Sequence, residues 1–213
     1  MLMAVLTLPL TAMLSLSACA SGLLPKPQAQ ATLLVLQAPP EDALLPKPMP
    51  MPMPAPQAAL LTLIVETPRA AAGFDTRDIA YVRRAHEVEY FAVHQWVDTP
   101  ARMVAPIMIQ ALQRRGSLRS VVLAPTVAAG ELRLETELVR LQQDFTRTPS
   151  HVRMSMRVLL VDAATRRPLA WRELDAVVLS PSEDPYGGAV AANAALAQVL
   201  QQLVAFVAQS VPR

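Results

Sequence analysis

The chain has 213 residues, of which 53% are hydrophobic, 17% charged and 4% aromatic, with a formal net charge of +2. That length suits one domain plus a linker, on a prior of about 150 residues per domain, and so small a charge excess argues against nucleic acid as a partner. Cys19 is the single cysteine, which excludes a disulfide within the chain and a zinc site built on cysteines.

No charged side chain occurs from Met1 to Leu16. An apolar run of this length, followed by small residues, reads as an export signal and not as a membrane span. It ends in Leu16-Ser17-Ala18-Cys19, which resembles the lipobox of bacterial lipoproteins. The resemblance implies cleavage after Ala18, a mature chain that starts at Cys19, and lipid on that residue. Residues 1–18 are then the signal peptide and 19–31 a spacer. One departure is the missing basic segment, since neither Lys nor Arg precedes Cys19.

The β-rich Thr32–Leu36 is the first expected strand. Eight prolines follow between Pro39 and Pro56. Proline lacks the backbone donor and fixes φ, so this stretch reads as a solvated polyproline II insert between two strands. Ala59–Glu66 is a continuous apolar run, suited to a central strand covered on both faces. Pro68, Gly73 and Asp75 mark a loop. Asp78–Arg83 and Val88–Val93 read as two short strands joined by Arg84–Glu87.

Thr99 and Pro100 open a helix as N-cap and first helical residue. Val104, Ile107, Met108, Ala111, Leu112 and Arg115 keep its spacing, Gly116 ends it, and Pro106 predicts a kink. Leu118–Leu123 is a further strand, followed by a turn with Pro125 and Gly130. Three segments around Leu132–Arg140, Val152–Leu160 and Ala170–Val178 then alternate apolar with polar residues. Period two with one apolar face predicts antiparallel strands half-exposed to water. After the break at Pro181–Pro185, a helix over Gly188–Ala208 carries Leu196, Val199, Leu200, Leu203 and Val207 on one face. It has no charged residue, but Asn193, Gln198, Gln201 and Gln202 interrupt it. An amphipathic helix packed on a sheet explains that pattern better than a membrane span.

No catalytic constellation is legible. There is no nucleophile elbow, phosphate loop or dinucleotide fingerprint. His86, His94 and His151 form no i, i+4 metal pair, so no metal and no cofactor is expected. Glu131, Glu135 and Glu137, with Arg133 and Arg140, read as cross-strand charge pairs rather than acid/base catalysts. Tyr90, Phe91 and Trp96 form a dense aromatic group. It reads as packing between the hairpin and the following helix, with a partner-binding surface as the alternative.

The order of signals is a lipobox, an early strand, an apolar strand, then Tyr81-Val82-Arg83, Glu89-Tyr90-Phe91, Trp96, Thr99-Pro100 and Leu112. Three strands and Ala191-Ala192-Asn193 with Ala195-Leu196 in a final helix complete it. From Thr32 to Ala208, apart from the proline insert, this pattern resembles the auxiliary lipoproteins of ABC-type transport systems, partners of Mce-class lipid transporters. The resemblance implies an α/β fold with a mixed sheet and helices, similar to the N-terminal domain of TolB, over 32–210 with the insert at 39–56. It implies a non-enzymatic role in moving lipid across the periplasm, beside an Mce-type periplasmic subunit. Ala20 after the cysteine favours the outer membrane under the same resemblance. Self-association into a ring is expected from uncovered strand edges. A cell-envelope assembly or peptidoglycan-associated lipoprotein of similar fold is the alternative, and a periplasmic enzyme a more distant one.

Overall fold

One strand, Leu132–Asp144, organises the sheet, because it is long enough to pair with three others along a single edge. The computed structural model describes residues 30–40, 61–114 and 118–211. Cys19, the proline insert from residue 41 onward, and Arg115 with Gly116 lie outside them. The described strands are β1 (Thr32–Leu34), β2 (Thr62–Val65), β3 (Arg69–Ala70), β4 (Asp78–Val82), β5 (Glu89–Trp96), β6 (Ser120–Leu123), β7 (Leu132–Asp144), β8 (His151–Asp162) and β9 (Pro168–Leu179). Two helices join them, α1 (Pro100–Arg114) and α2 (Pro185–Ser210).

All nine strands form one mixed sheet. β2, β3 and β4 lie in succession along one edge of β7, each parallel to it: Leu63 pairs with Leu132, Arg69 with Glu137, and Ala80 with Gln142. β8 runs antiparallel along the other edge, and β9 antiparallel to β8. Beyond β4 come β5, antiparallel, and then β1, parallel to β5. β6 lies parallel to β2 at the remaining edge. The sheet is therefore forked, with β7–β8–β9 as its common stem.

Each of the strands expected from composition occurs, with shifted ends. β2 is buried along its whole length. Leu63 and Val65 enter the core, while Ile64 is covered by the turn before β7. A Cβ on Gly130 would lie 2.8 Å from the Ile64 side chain, so that covering turn needs a residue without one. The loop after β2 contains β3, two residues that pair with β7. β5 reaches Trp96, three residues beyond the expected end. Its pairing with β4 slips between Asp78–Gln95 and Ala80–Tyr90, which bulges residues 91–94 outward. A smaller slip between Leu138 and Arg140 moves the buried face of β7 from its even residues to Leu141 and Gln143.

Both helices lie on the same side of the sheet. α1 packs on β3, β6 and β7, α2 on β8 and β9, and the two touch. Pro106 lies inside α1 on its exposed side. α2 starts three residues earlier than its apolar stripe suggests, because Asp184 caps it: the Gly187 N–H donates to the Asp184 carboxylate at 2.6 Å. Leu196, Val199, Leu200, Leu203 and Val207 are all buried. α2 has the length and composition of a membrane span, but its apolar stripe is spent on β8 and β9 within the core.

Candidate functional site

The aromatic residues separate into two places. Trp96 is 3% exposed and belongs to the main core, where it meets Gly188 and Ala192 of α2 around a cavity of about 10 Å³. That volume is at the lower limit for one water. Phe91, carried outward by the bulge of β5, stacks on Tyr81 at 4.4 Å between ring centroids, with Phe145 edge-on to both. Tyr90 is half-exposed, and its hydroxyl donates to the Gly73 carbonyl at 3.0 Å. The structure thus brings Phe91 together with Tyr81 and Phe145, not with Trp96. Phe145 escaped the sequence reading because it lies far from residue 91 in the chain and reaches Tyr81 and Phe91 only because the end of β7 lies beside β4. The Tyr81 hydroxyl donates to Glu89 at 2.9 Å, and that bond pushes the phenol above its ordinary pKa.

The cavity has one unusual polar wall. Gln143 is 2% exposed. Its amide nitrogen donates to the hydroxyls of Ser150 at 3.1 Å and Ser180 at 3.4 Å, but its carbonyl oxygen has no partner among the described residues. A Cβ on Gly188 would fall 2.2 Å from that oxygen, so the glycine lets α2 approach β7 closely.

Several charged residues in and beside β7 find partners on neighbouring segments instead of each other. Glu131 accepts the Thr62 N–H at 2.7 Å and pairs with Arg119 at 2.9 Å. Arg133 pairs with Glu66. Arg157 bridges Glu137 at 2.8 Å and Glu173 at 3.8 Å, and Arg153 pairs with Asp175 at 3.0 Å. Burial pushes the Asp175 carboxyl up, but bonds from Ser155 and Arg153 outweigh it and hold the pKa below its ordinary value. These pairs lie on the face of the sheet away from the helices, where each exposed pair contributes about 0–1 kcal/mol. His151 lies 3.7 Å from Asp144, and His94 makes an edge contact with Phe91. Among the described residues no three His, Cys, Asp or Glu side chains cluster as metal ligands.

A contact surface remains as the site with the most features. Trp171 of β9 is 68% exposed, Leu179 65% and Val177 52%, all on the face away from the helices. Among the described residues β9 is also an outer strand, with β8 alone beside it. None of these residues stands out in the sequence, where the alternation marks only which residues are buried.

Known structures share this architecture. A crystal structure of a Xanthomonas campestris protein is similar with a TM-score of 0.65 at 20% identity, covering 71% of this chain and 85% of that one. A second, of an uncharacterized protein, gives 0.57 at 13% identity, covering 71% and 92%. At such identities the likeness establishes the mixed α/β fold alone. No curated protein sequence matches the chain. Residues 44–208 match the model of a family described as the ABC-type transport auxiliary lipoprotein component. The match begins twelve residues after Thr32 and includes part of the proline insert, which the sequence pattern set apart.

Proposed function

The chain belongs to the family of ABC-type transport auxiliary lipoprotein components, and from that premise we propose that it is a lipid-anchored, non-enzymatic accessory of an Mce-class lipid transporter. The family match over most of the folded body carries the reading. The anchor is Cys19, acylated after cleavage of residues 1–18. Anchoring is stable because each buried methylene contributes about 0.8 kcal/mol and more than one chain is attached. With Ala20 next to it, the anchor holds the domain on the periplasmic face of the outer membrane. The domain then works by contact, presenting its sheet to the Mce-type subunit that carries lipid across the periplasm. Copies of the chain associate head to tail and close into a ring in this reading.

Several features support contact over chemistry. Many carboxylates and arginines are engaged in structural pairs, the histidines converge on no common point, and the cavity beside Trp96 is too small for a substrate. The test is co-purification of the full lipidated chain with the purified Mce-type subunit. Capture is expected at micromolar concentrations or below. A chain that never captures the subunit, or that hydrolyses a generic ester in a manner abolished by one Asp, Glu or His substitution, would overturn the proposal.

A further inference from the structure

The free edge of β9 has a guarded half and an open half. The Ser180 N–H donates to the Ser150 carbonyl at 2.8 Å, and the register with β8 runs unbroken from Leu179 to Ala170. Backbone groups of even-numbered residues therefore face β8, and those of odd-numbered residues face outward. One outward carbonyl is already occupied: the Gln202 amide of α2 donates to Asp175 at 2.9 Å. On the N-terminal side of that guard, the outward backbone groups of Trp171 and Glu173 have no backbone partner among the described residues. Across the ladder Trp171 lies opposite Leu159, and Leu169 adjoins it, giving an apolar spot on the exposed face.

The charge around this half is one-sided. Arg166, Arg167 and Arg172 are exposed and make no ion pair within hydrogen-bonding range among the described residues, although Arg167 lies near enough to Asp162 to favour its carboxylate; Arg172 lies 5.5 Å over the Phe206 ring. The nearby acids are engaged elsewhere. Glu173 faces Arg157, Asp162 accepts from Thr165, and Asp175 is held by Ser155 and Arg153. An open strand edge recognises another extended backbone, and the exposed arginines recognise carboxylates.

We propose that residues Leu169–Glu173 of β9 are a docking strand for an extended, acidic segment of the transport subunit. The segment adds to the sheet edge by backbone hydrogen bonds to Trp171 and Glu173 and seats an apolar side chain on Trp171. This rests on the docking reading above and adds the surface and the chemistry of the partner. A second copy fits less well. An antiparallel copy centred on Arg172 sets arginine on arginine, and one centred on Glu173 sets glutamate on glutamate.

The experiment uses the full chain and the purified Mce-type subunit. Amide hydrogen exchange is followed with and without the subunit, and affinity is measured for Trp171→Ala, Glu173→Pro and Glu173→Ala. Proline at 173 removes only an outward N–H and leaves the ladder to β8 intact, so Glu173→Ala controls for loss of the side chain. Binding is expected to slow exchange at Trp171 and Glu173. Trp171→Ala and Glu173→Pro should each weaken it by about tenfold or more, with Glu173→Ala close to wild type and all three melting normally. A complex that leaves exchange in β9 unchanged, or that tolerates Glu173→Pro, overturns this surface while the docking reading stands. Protection that grows with the concentration of the chain alone assigns the edge to a second copy and also overturns it. No complex at all overturns both.

Discussion

The side-chain amide of Asn193 accepts the Gln37 N–H at 2.7 Å and donates to the Val35 carbonyl at 3.1 Å. A carbonyl and the N–H two residues later are the pair that a residue of a neighbouring parallel strand would take. Asn193 therefore stands in for one residue of a strand that is not there. It also donates to Ala189 within α2, which fixes its rotamer. Leu36, between the two bonded residues, is buried in the core. The segment leading from the N-terminus into the domain is thus fastened to the last helix as well as to β5.

Replacing Asn193 by leucine should release that fastening. Two hydrogen bonds at a net of about 0.5–1.5 kcal/mol each give an expected loss of about 1–3 kcal/mol. Denaturant unfolding measures it. Exchange of the Gln37 amide should accelerate well beyond that of residues in β8, and unchanged protection at Gln37 would contradict the account.

The two tryptophans should respond in opposite ways. Trp96→Ala empties a core position against α2 and should cost about 3–5 kcal/mol. Trp171→Ala removes an exposed side chain and should change stability by about 0.5 kcal/mol at most. Thermal melts of the two variants side by side check this.

The fold was legible where pattern and burial coincide. β7, β8 and β9 alternate because one face meets helices and the other water, and β2 is mostly apolar because both its faces are covered. β3 was illegible, since two residues set no period and Arg69–Ala70 pair only because β7 runs past them. The slips at Leu138 and in β5 come from strand pairing, which no local composition encodes. The same holds for contacts. The spacing of Leu196, Val199 and Leu203 revealed the buried stripe of α2, but not that Asn193 and Gln202 on its polar side each satisfy a strand edge. The aromatic density at residues 90–96 was visible. Its division between Trp96 in the core and Phe91 in a half-buried group with Tyr81 and Phe145 depends on the bulge.

Acid should destabilise the domain in a definite window. The carboxyls of Asp184, Asp162 and Glu131 are held below their ordinary pKa values, first by backbone N–H donors from Gly187, Thr165 and Thr62 respectively. In the unfolded chain such groups titrate at about 4. Protons therefore bind the unfolded state first as pH falls. The stability these groups contribute is complete above about pH 5 and is lost as pH drops through the depressed folded values. Melting temperatures should fall steadily below about pH 4 in wild type, and less steeply in Asp184→Asn. Equal slopes for both would contradict the capping role of Asp184.

Cys19→Ala should abolish acylation. Growth with a labelled fatty acid followed by isolation of the chain decides the matter: label is expected on wild type alone. Label retained on the alanine variant would place the lipid elsewhere and undo the anchor.

In the proposed function the anchored domain assists lipid transfer by a transporter it contacts. A reconstituted Mce-class ABC system, with donor and acceptor membranes and a fluorescent phospholipid, measures that directly. Full lipidated chain in the acceptor membrane should raise the transfer rate severalfold, and the soluble Cys19→Ala chain at the same concentration should raise it little. Equal transfer with and without the chain would rule out that role.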